Sequence, residues 1–317
     1  MTLIILLGSA TSFLVTLLLT PRLIKIFKRH GMVGEDIHKI SRPVCAEMGG
    51  AAVLLGFSVG FGITLLLASA VDLNLIYTFL TIIFVGFIGV LDDLFTLRQR
   101  YKPFLTALAS VPLIFACLDR QGFWFPPVGF IFLGVYWIFV PLGVATASNM
   151  TNMMAGFNGL EGGIAAISCF ALGVASILFG KFEACFIAFP LSAAFLAFLK
   201  YNWYPAKIFP GDTGTLVSGA AIAAISIFSG VEFAGICMIA PCAMDFTLKM
   251  LSMQPFSQRR LFGDTKIGEN QVLIPPVYPA LAHAFMRVSR LKEQELVLWL
   301  LLMQSIYAFI GVLLTAI

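Results

Sequence analysis

Long apolar runs dominate the chain and are separated by short polar segments. Ten runs approach the ~20 residues an α-helix needs to cross a bilayer: 2–20, 48–68, 75–91, 104–118, 130–147, 163–180, 184–199, 214–229, 233–251 and 296–317. Their length, interior glycines and lack of apolar–polar alternation exclude barrel strands. The pattern predicts an all-α, polytopic membrane protein of about ten transmembrane helices. Residues 1–317 then form a single integral-membrane domain, with loops on one face at 21–47, 92–103, 148–162, 200–213 and 249–295. In the last loop, Pro275, Pro276 and Pro279 argue against a straight helix over 271–286. That stretch is expected to lie at the interface or re-enter the bilayer.

Composition agrees. The chain is 60% hydrophobic and 11% charged, where soluble domains carry ~25% charged residues, and its mean hydropathy is +0.97. A soluble fold would expose far more apolar surface than a monomer tolerates. Disordered and disulfide-scaffold classes fail too, with six Cys in 317 residues and no CxxC pair. The cysteines read as small packing residues, and Gly56 and Gly60 as a close helix–helix contact.

The net charge of +4 matters through its placement. With the N-terminus outside, eighteen of the twenty Lys and Arg fall on the cytoplasmic segments, leaving Arg120 and Lys181 on the other face. Both termini are then non-cytoplasmic. The first run reads as a retained helix, not a signal peptide, because Arg22, Lys25, Lys28 and Arg29 follow it instead of preceding it.

Ionisable groups at the bilayer are costly and tend to mark function. Asp92 and Asp93 precede Arg98, Arg100 and Lys102, a combination suited to a metal and phosphates; an ordinary charged loop would look similar. Asn149 and Asn152, three apart, share a helix face and offer amide oxygens, whereas Asn158-Gly159 is a turn dipeptide. The alternative there is a polar turn with capping Asn. Asp212 lies between glycines at the mouth of a span, where backbone can approach a ligand. Arg259, Arg260, Asp264, Lys266 and Glu269 belong to a loop long enough to act as a lid. His283, alone on an apolar stretch, reads as structural.

Four motifs occur in order: Arg42-Pro43…Glu47-Met48-Gly49-Gly50, Asp92-Asp93…Leu97-Arg98…Lys102, Asn149…Asn152…Gly156…Asn158-Gly159-Leu160-Glu161, and Phe209…Gly211-Asp212-Thr213. Together, over about residues 40–265, they resemble the polyprenyl-phosphate N-acetylhexosamine-1-phosphate transferases, in the wording of the eukaryotic and archaeal branch. The resemblance implies ten transmembrane helices and a cytoplasmic-face site. It also implies Mg²⁺-dependent transfer of GlcNAc-1-phosphate from UDP-GlcNAc to dolichyl phosphate, with release of UMP, as the opening step of N-glycan assembly. By the same resemblance Asn152 and Asp212 are Mg²⁺ ligands, Lys102 contacts phosphates, and Asp92 and Asp93 are the acidic catalytic pair. Asn158 and Phe209 would bind uracil, Glu47 and Asn149 line the substrate pocket, and Arg259 and Arg260 contact pyrophosphate and sugar. Three features depart from the pattern: Thr96 stands where Asn is usual, Cys45-Ala46 replaces a proline-containing lead-in, and the bacterial histidine-rich motif is absent from 252–295.

The expected partners are UDP-GlcNAc, dolichyl or another polyprenyl phosphate, and membrane lipid. No nucleic acid is expected, and a homodimer is allowed. The membrane would be the plasma membrane for an archaeal source and the endoplasmic reticulum for a eukaryotic one. The alternatives are transfer of a related UDP-HexNAc to another polyprenyl phosphate, or an ion-coupled transporter. The latter would place its charges near the midplane, commonly within inverted repeats.

Overall fold

The computed structural model describes residues 1–70, 72–126, 128–154, 156–252 and 265–315. In chain order the elements are α1 (Thr2–Arg29), β1 (Val33–Glu35), β2 (Val44–Ala46), α2 (Gly50–Leu67), α3 (Leu73–Phe95), α4 (Lys102–Ala109) and α5 (Val111–Phe115). There follow β3 (Gly122–Phe125), β4 (Gly129–Phe132), α6 (Tyr136–Met154), α7 (Leu160–Leu178), α8 (Cys185–Asn202), α9 (Gly211–Ser229) and α10 (Glu232–Ser252). The chain closes with β5 (Lys266–Ile267), β6 (Leu273–Ile274), α11 (Leu281–Val288) and α12 (Glu293–Thr315). The strands pair as three small antiparallel ribbons.

The all-α membrane architecture is observed. Among the described residues, eight helical stretches are long and apolar enough to cross a membrane: α1, α2, α3, α7, α8 with the turn before it, α9, α10 and α12. The other two apolar runs depart from the expected straight helices. Run 104–118 breaks at Ser110 into α4 and α5, with Pro112 at the start of the second piece, where its missing N–H costs least. Run 130–147 opens as strand β4 and becomes helical only at Tyr136; α6 then ends in polar residues, which lowers its hydropathy.

Both of these passes still traverse the bundle. Lys102, at the head of α4, meets Asp92 and Asp212 at one end, whereas Arg120, just beyond α5, binds the last carbonyls of α9 at the other. On α6, Tyr136 bonds to Glu232 at that far end and Asn152 to Thr215 at the near end. Run 271–286 forms no straight span: it folds as β6, a turn and the short α11.

Helix α9 is the axis of the structure. From Thr213 to Ser229 every residue is buried, with α2, α3, α6, α7, α8 and α10 packed around it. Its Gly, Ala, Ser and Thr content lets neighbouring backbones approach, as small residues do in membrane interfaces. The pair Gly56 and Gly60 does the same between α2 and α1: a Cβ at Gly60 would overlap Ser12 Oγ and the Gly8 carbonyl. Gly60→Leu is expected to lower stability by about 1–3 kcal/mol through overpacking, read as an earlier thermal transition in detergent. Gly62→Ala, where an added Cβ meets nothing within 4 Å, serves as the control. Equal transitions for the two variants would contradict the packing.

Candidate active site

The first turn of α9 has exposed N–H groups and no cap of its own, since Pro210 at its N-cap offers no side-chain acceptor. The neighbouring helix supplies one. Asp93, in the last turn of α3, accepts the Asp212 N–H at 2.7 Å on one oxygen. Its other oxygen takes the Thr213 N–H at 3.1 Å and the Thr213 hydroxyl at 2.6 Å. Gly211 makes the approach feasible: its φ is +67°, and a Cβ there would lie 2.7 Å from Asp93 Oδ2.

Asp92, one residue earlier on α3, points elsewhere. Its Oδ1 accepts the Leu97 N–H at 2.8 Å, closing the α3–α4 turn, and its Oδ2 pairs with the Lys102 ammonium. The same ammonium lies 3.3 Å from Asp212 Oδ2. Asp92 and Lys102 side chains are 2% and 4% exposed, against 28% for Asp212. The result is a chain of alternating charges whose outer carboxylate reaches solvent. Burying Asp92 and Lys102 is tolerable because each neutralises the other.

Asn152 approaches the same helix turn from α6: its Oδ1 accepts the Thr215 hydroxyl at 2.9 Å, and Thr151 donates to the Thr215 carbonyl at 2.8 Å. Asn149 instead joins α6 to α4, donating to Thr106 Oγ1 at 3.2 Å and to the Ala145 carbonyl at 2.7 Å. Glu47 follows the β1–β2 ribbon, with its carboxylate over Gly34. Burial, and then the nearby charge of Asp212, push the Glu47 carboxyl above its usual range. Phe209 is half-buried and held by backbone: its N–H donates to the Ala46 carbonyl and its own carbonyl accepts the Gly49 N–H, both at 2.8 Å. Segment 206–210 is thereby strapped beside β2, bringing Glu47, Phe209 and Asp212 to one region.

Asn158 belongs to a second polar group. Its amide donates to Asp36 at 2.8 Å and its backbone N–H to Glu293 at 2.8 Å. Lys39 bridges these carboxylates at 2.8 and 2.5 Å. Asp36, His38 and Glu293 each place a ligand atom within 4.8 Å of the others, but the Lys39 ammonium already occupies the position of a cation between the acids. His38 stacks on Phe157 with centroids 4.6 Å apart. Burial pushes its pKa down to about 4, so the ring is neutral near pH 7. Arg259 and Arg260 lie outside the described residues.

Sequence reasoning missed Asp36, Lys39 and Glu293, and it assigned no role to Thr213, which stands within a motif, or to Thr215. The threonines had a signal in the Gly-Asp-Thr-Gly-Thr run at the mouth of a span. Glu293 had none, because carboxylates commonly open helices.

Asp93→Ala would leave two N–H groups and a hydroxyl without their acceptor. A loss of about 1–3 kcal/mol per buried unsatisfied group is expected, seen as a large drop in the thermal transition. A transition within a degree of the parent's would show that Asp93 does not hold α9.

Comparison with known proteins bears on this arrangement. Residues 75–230 match the family described as glycosyl transferase family 4. A Saccharolobus solfataricus protein, provisionally named a UDP-N-acetylglucosamine–dolichyl-phosphate N-acetylglucosaminephosphotransferase, is 33% identical over 98% of this chain and 96% of its own length. A Sulfolobus acidocaldarius protein with the same provisional name is 31% identical over 97% and 95%. A phospho-N-acetylmuramoyl-pentapeptide-transferase of Geobacillus kaustophilus is 30% identical over 72% and 76%.

Proposed function

Because the chain belongs to glycosyl transferase family 4, we propose that it transfers GlcNAc-1-phosphate from UDP-GlcNAc to dolichyl phosphate and releases UMP. It is thus a polyprenyl-phosphate N-acetylhexosamine-1-phosphate transferase that initiates a lipid-linked oligosaccharide for N-glycosylation. The observation that carries this reading is the Asp92–Lys102–Asp212 chain at the ends of apolar helices, where a soluble nucleotide sugar and a lipid phosphate can meet. The names of the archaeal relatives support the donor and acceptor. The charge asymmetry of the loops supports a cytoplasmic site.

The donor set at α9 fits a hard divalent cation. Asp212 offers a partly exposed carboxylate, and Asn152 offers an amide oxygen held to the next residues of the same turn, both of the oxygen type Mg²⁺ prefers. Mg²⁺ bound there supplies charge neutralisation at the diphosphate. The chain's own residues do the rest. Lys102, fixed by Asp92, faces the transferring phosphates with a point charge. Asp93 keeps Asp212 in register and is a positioning residue, since both its oxygens are bonded to α9.

An oxygen of the acceptor phosphate, ionised near pH 7 with a second pKa of about 6, attacks the phosphorus next to the sugar in line. The new P–O bond forms as the bond to UMP breaks, and no proton is required of the attacking oxygen. Glu47 and Phe209 line the donor pocket in this reading, and Arg259 and Arg260 contact the pyrophosphate and sugar. Asn149 and Asn158 would join the pocket only by exchanging their bonds to Thr106 and Asp36 for the donor. Grouping of the charges at one end of the bundle disfavours a transporter, whose site lies near the midplane.

The test incubates purified protein with Mg²⁺, labelled UDP-GlcNAc and dolichyl phosphate. UMP and lipid-linked sugar should appear in equal amounts, stop on chelation and resume with added Mg²⁺. Asp212→Asn, which changes one charge at a partly exposed position, should lower turnover about 10²–10³-fold without moving the thermal transition. UMP formed without lipid product, or full turnover by Asp212→Asn, would overturn the assignment.

A further inference from the structure

The end of the bundle opposite this site has its own unexplained chemistry. The two basic side chains outside the site-side segments, Arg120 and Lys181, line one cavity of about 610 Å³, a volume typical of ligand sites. Phe123 and Phe130 of the β3–β4 ribbon and Phe179 at the end of α7 give it aromatic walls, and Glu232 at the start of α10 also borders it.

Two polar demands remain unmet there. Glu232 is 8% exposed. Its Oε1 accepts from Tyr136 at 2.6 Å and from Arg120 at 3.0 Å, but its Oε2 is buried without a hydrogen-bond partner among the described residues. Such an oxygen calls for a donor. Arg120 cannot serve it freely, being committed to the Ile227 and Phe228 carbonyls at the end of α9. Lys181 is exposed, and its ammonium has no ion-pair partner among the described residues. It calls for an anion.

The setting identifies where both could come from. Trp124, Phe130 and Phe132 of the same ribbon are 51%, 57% and 66% exposed, as aromatic residues are at the membrane–water boundary. A hydrated free phosphate gains nothing from aromatic walls, whereas a lipid chain does. We propose that this cavity binds a membrane phospholipid with a glycerol-type head. Its phosphodiester pairs with Lys181, a head hydroxyl donates to Glu232 Oε2, and a chain lies along Phe123, Phe130 and Phe179. The site is independent of the transferase reaction.

Trp124 lines the cavity and reports directly on its occupant. The protein and its Trp124→Phe variant are placed in phosphatidylcholine nanodiscs. About one lipid in ten is replaced either by brominated phosphatidylglycerol or by brominated phosphatidylcholine. The first is net anionic and carries head hydroxyls; in the second, choline cancels the phosphodiester charge and there is no donor. The difference between the two proteins isolates quenching of Trp124. About fivefold stronger quenching by phosphatidylglycerol is expected, the preference one Lys–anionic lipid contact can give. The preference should fall in Lys181→Ala, a surface change that leaves folding intact, because the anionic head loses its cation while its hydroxyl keeps Glu232. Equal quenching by the two lipids, or a preference unchanged in Lys181→Ala, overturns the proposal.

Discussion

Two adjacent carboxylates that face different ways set the geometry of this protein. Successive residues on a helix are rotated by about 100°, so Asp92 and Asp93 at the end of α3 cannot serve one partner. Asp93 holds the N-terminus of α9, and Asp92 holds Lys102 at the start of α4. Three helices are fixed by two consecutive side chains, and Lys102 meets Asp212 as a consequence.

The location of α9 makes this effective. A helix buried along nearly its whole length cannot shift without disturbing every neighbour. Its first turn is therefore a rigid platform, unlike a loop. Asn152 and Thr151 brace that platform from α6, and the strap 206–210 braces it from the side of β2. Charged groups are affordable here because helix ends reach water. The outermost, Asp212, is also the most open of the three.

Much of this was legible in the sequence, for a physical reason. In a chain so apolar, each retained carboxylate or cation stands out, so Asp92, Asp93, Lys102 and Asp212 are conspicuous from the sequence alone. Their division of labour was not, because adjacency says nothing about which oxygen meets which partner. The break at Ser110 and the late start of α6 were also hidden, since hydropathy measures apolarity and not backbone path. Least visible was the network of Asp36, Lys39, Asn158 and Glu293. Lys39 and Glu293 are 254 positions apart, and no periodicity reports so distant a contact. In the sequence Lys181 and Arg120 are only the minority of a charge count, and the cavity they share is made by the fold.

The central claim is that Lys102 and Asp212 act as one unit on the diphosphate. A double-mutant cycle on turnover with UDP-GlcNAc and dolichyl phosphate, using Lys102→Gln and Asp212→Asn, measures it directly. Residues that work as a unit are strongly non-additive, so the double variant should be about as slow as the slower single variant. Losses that multiply would show two independent contributions and contradict the account.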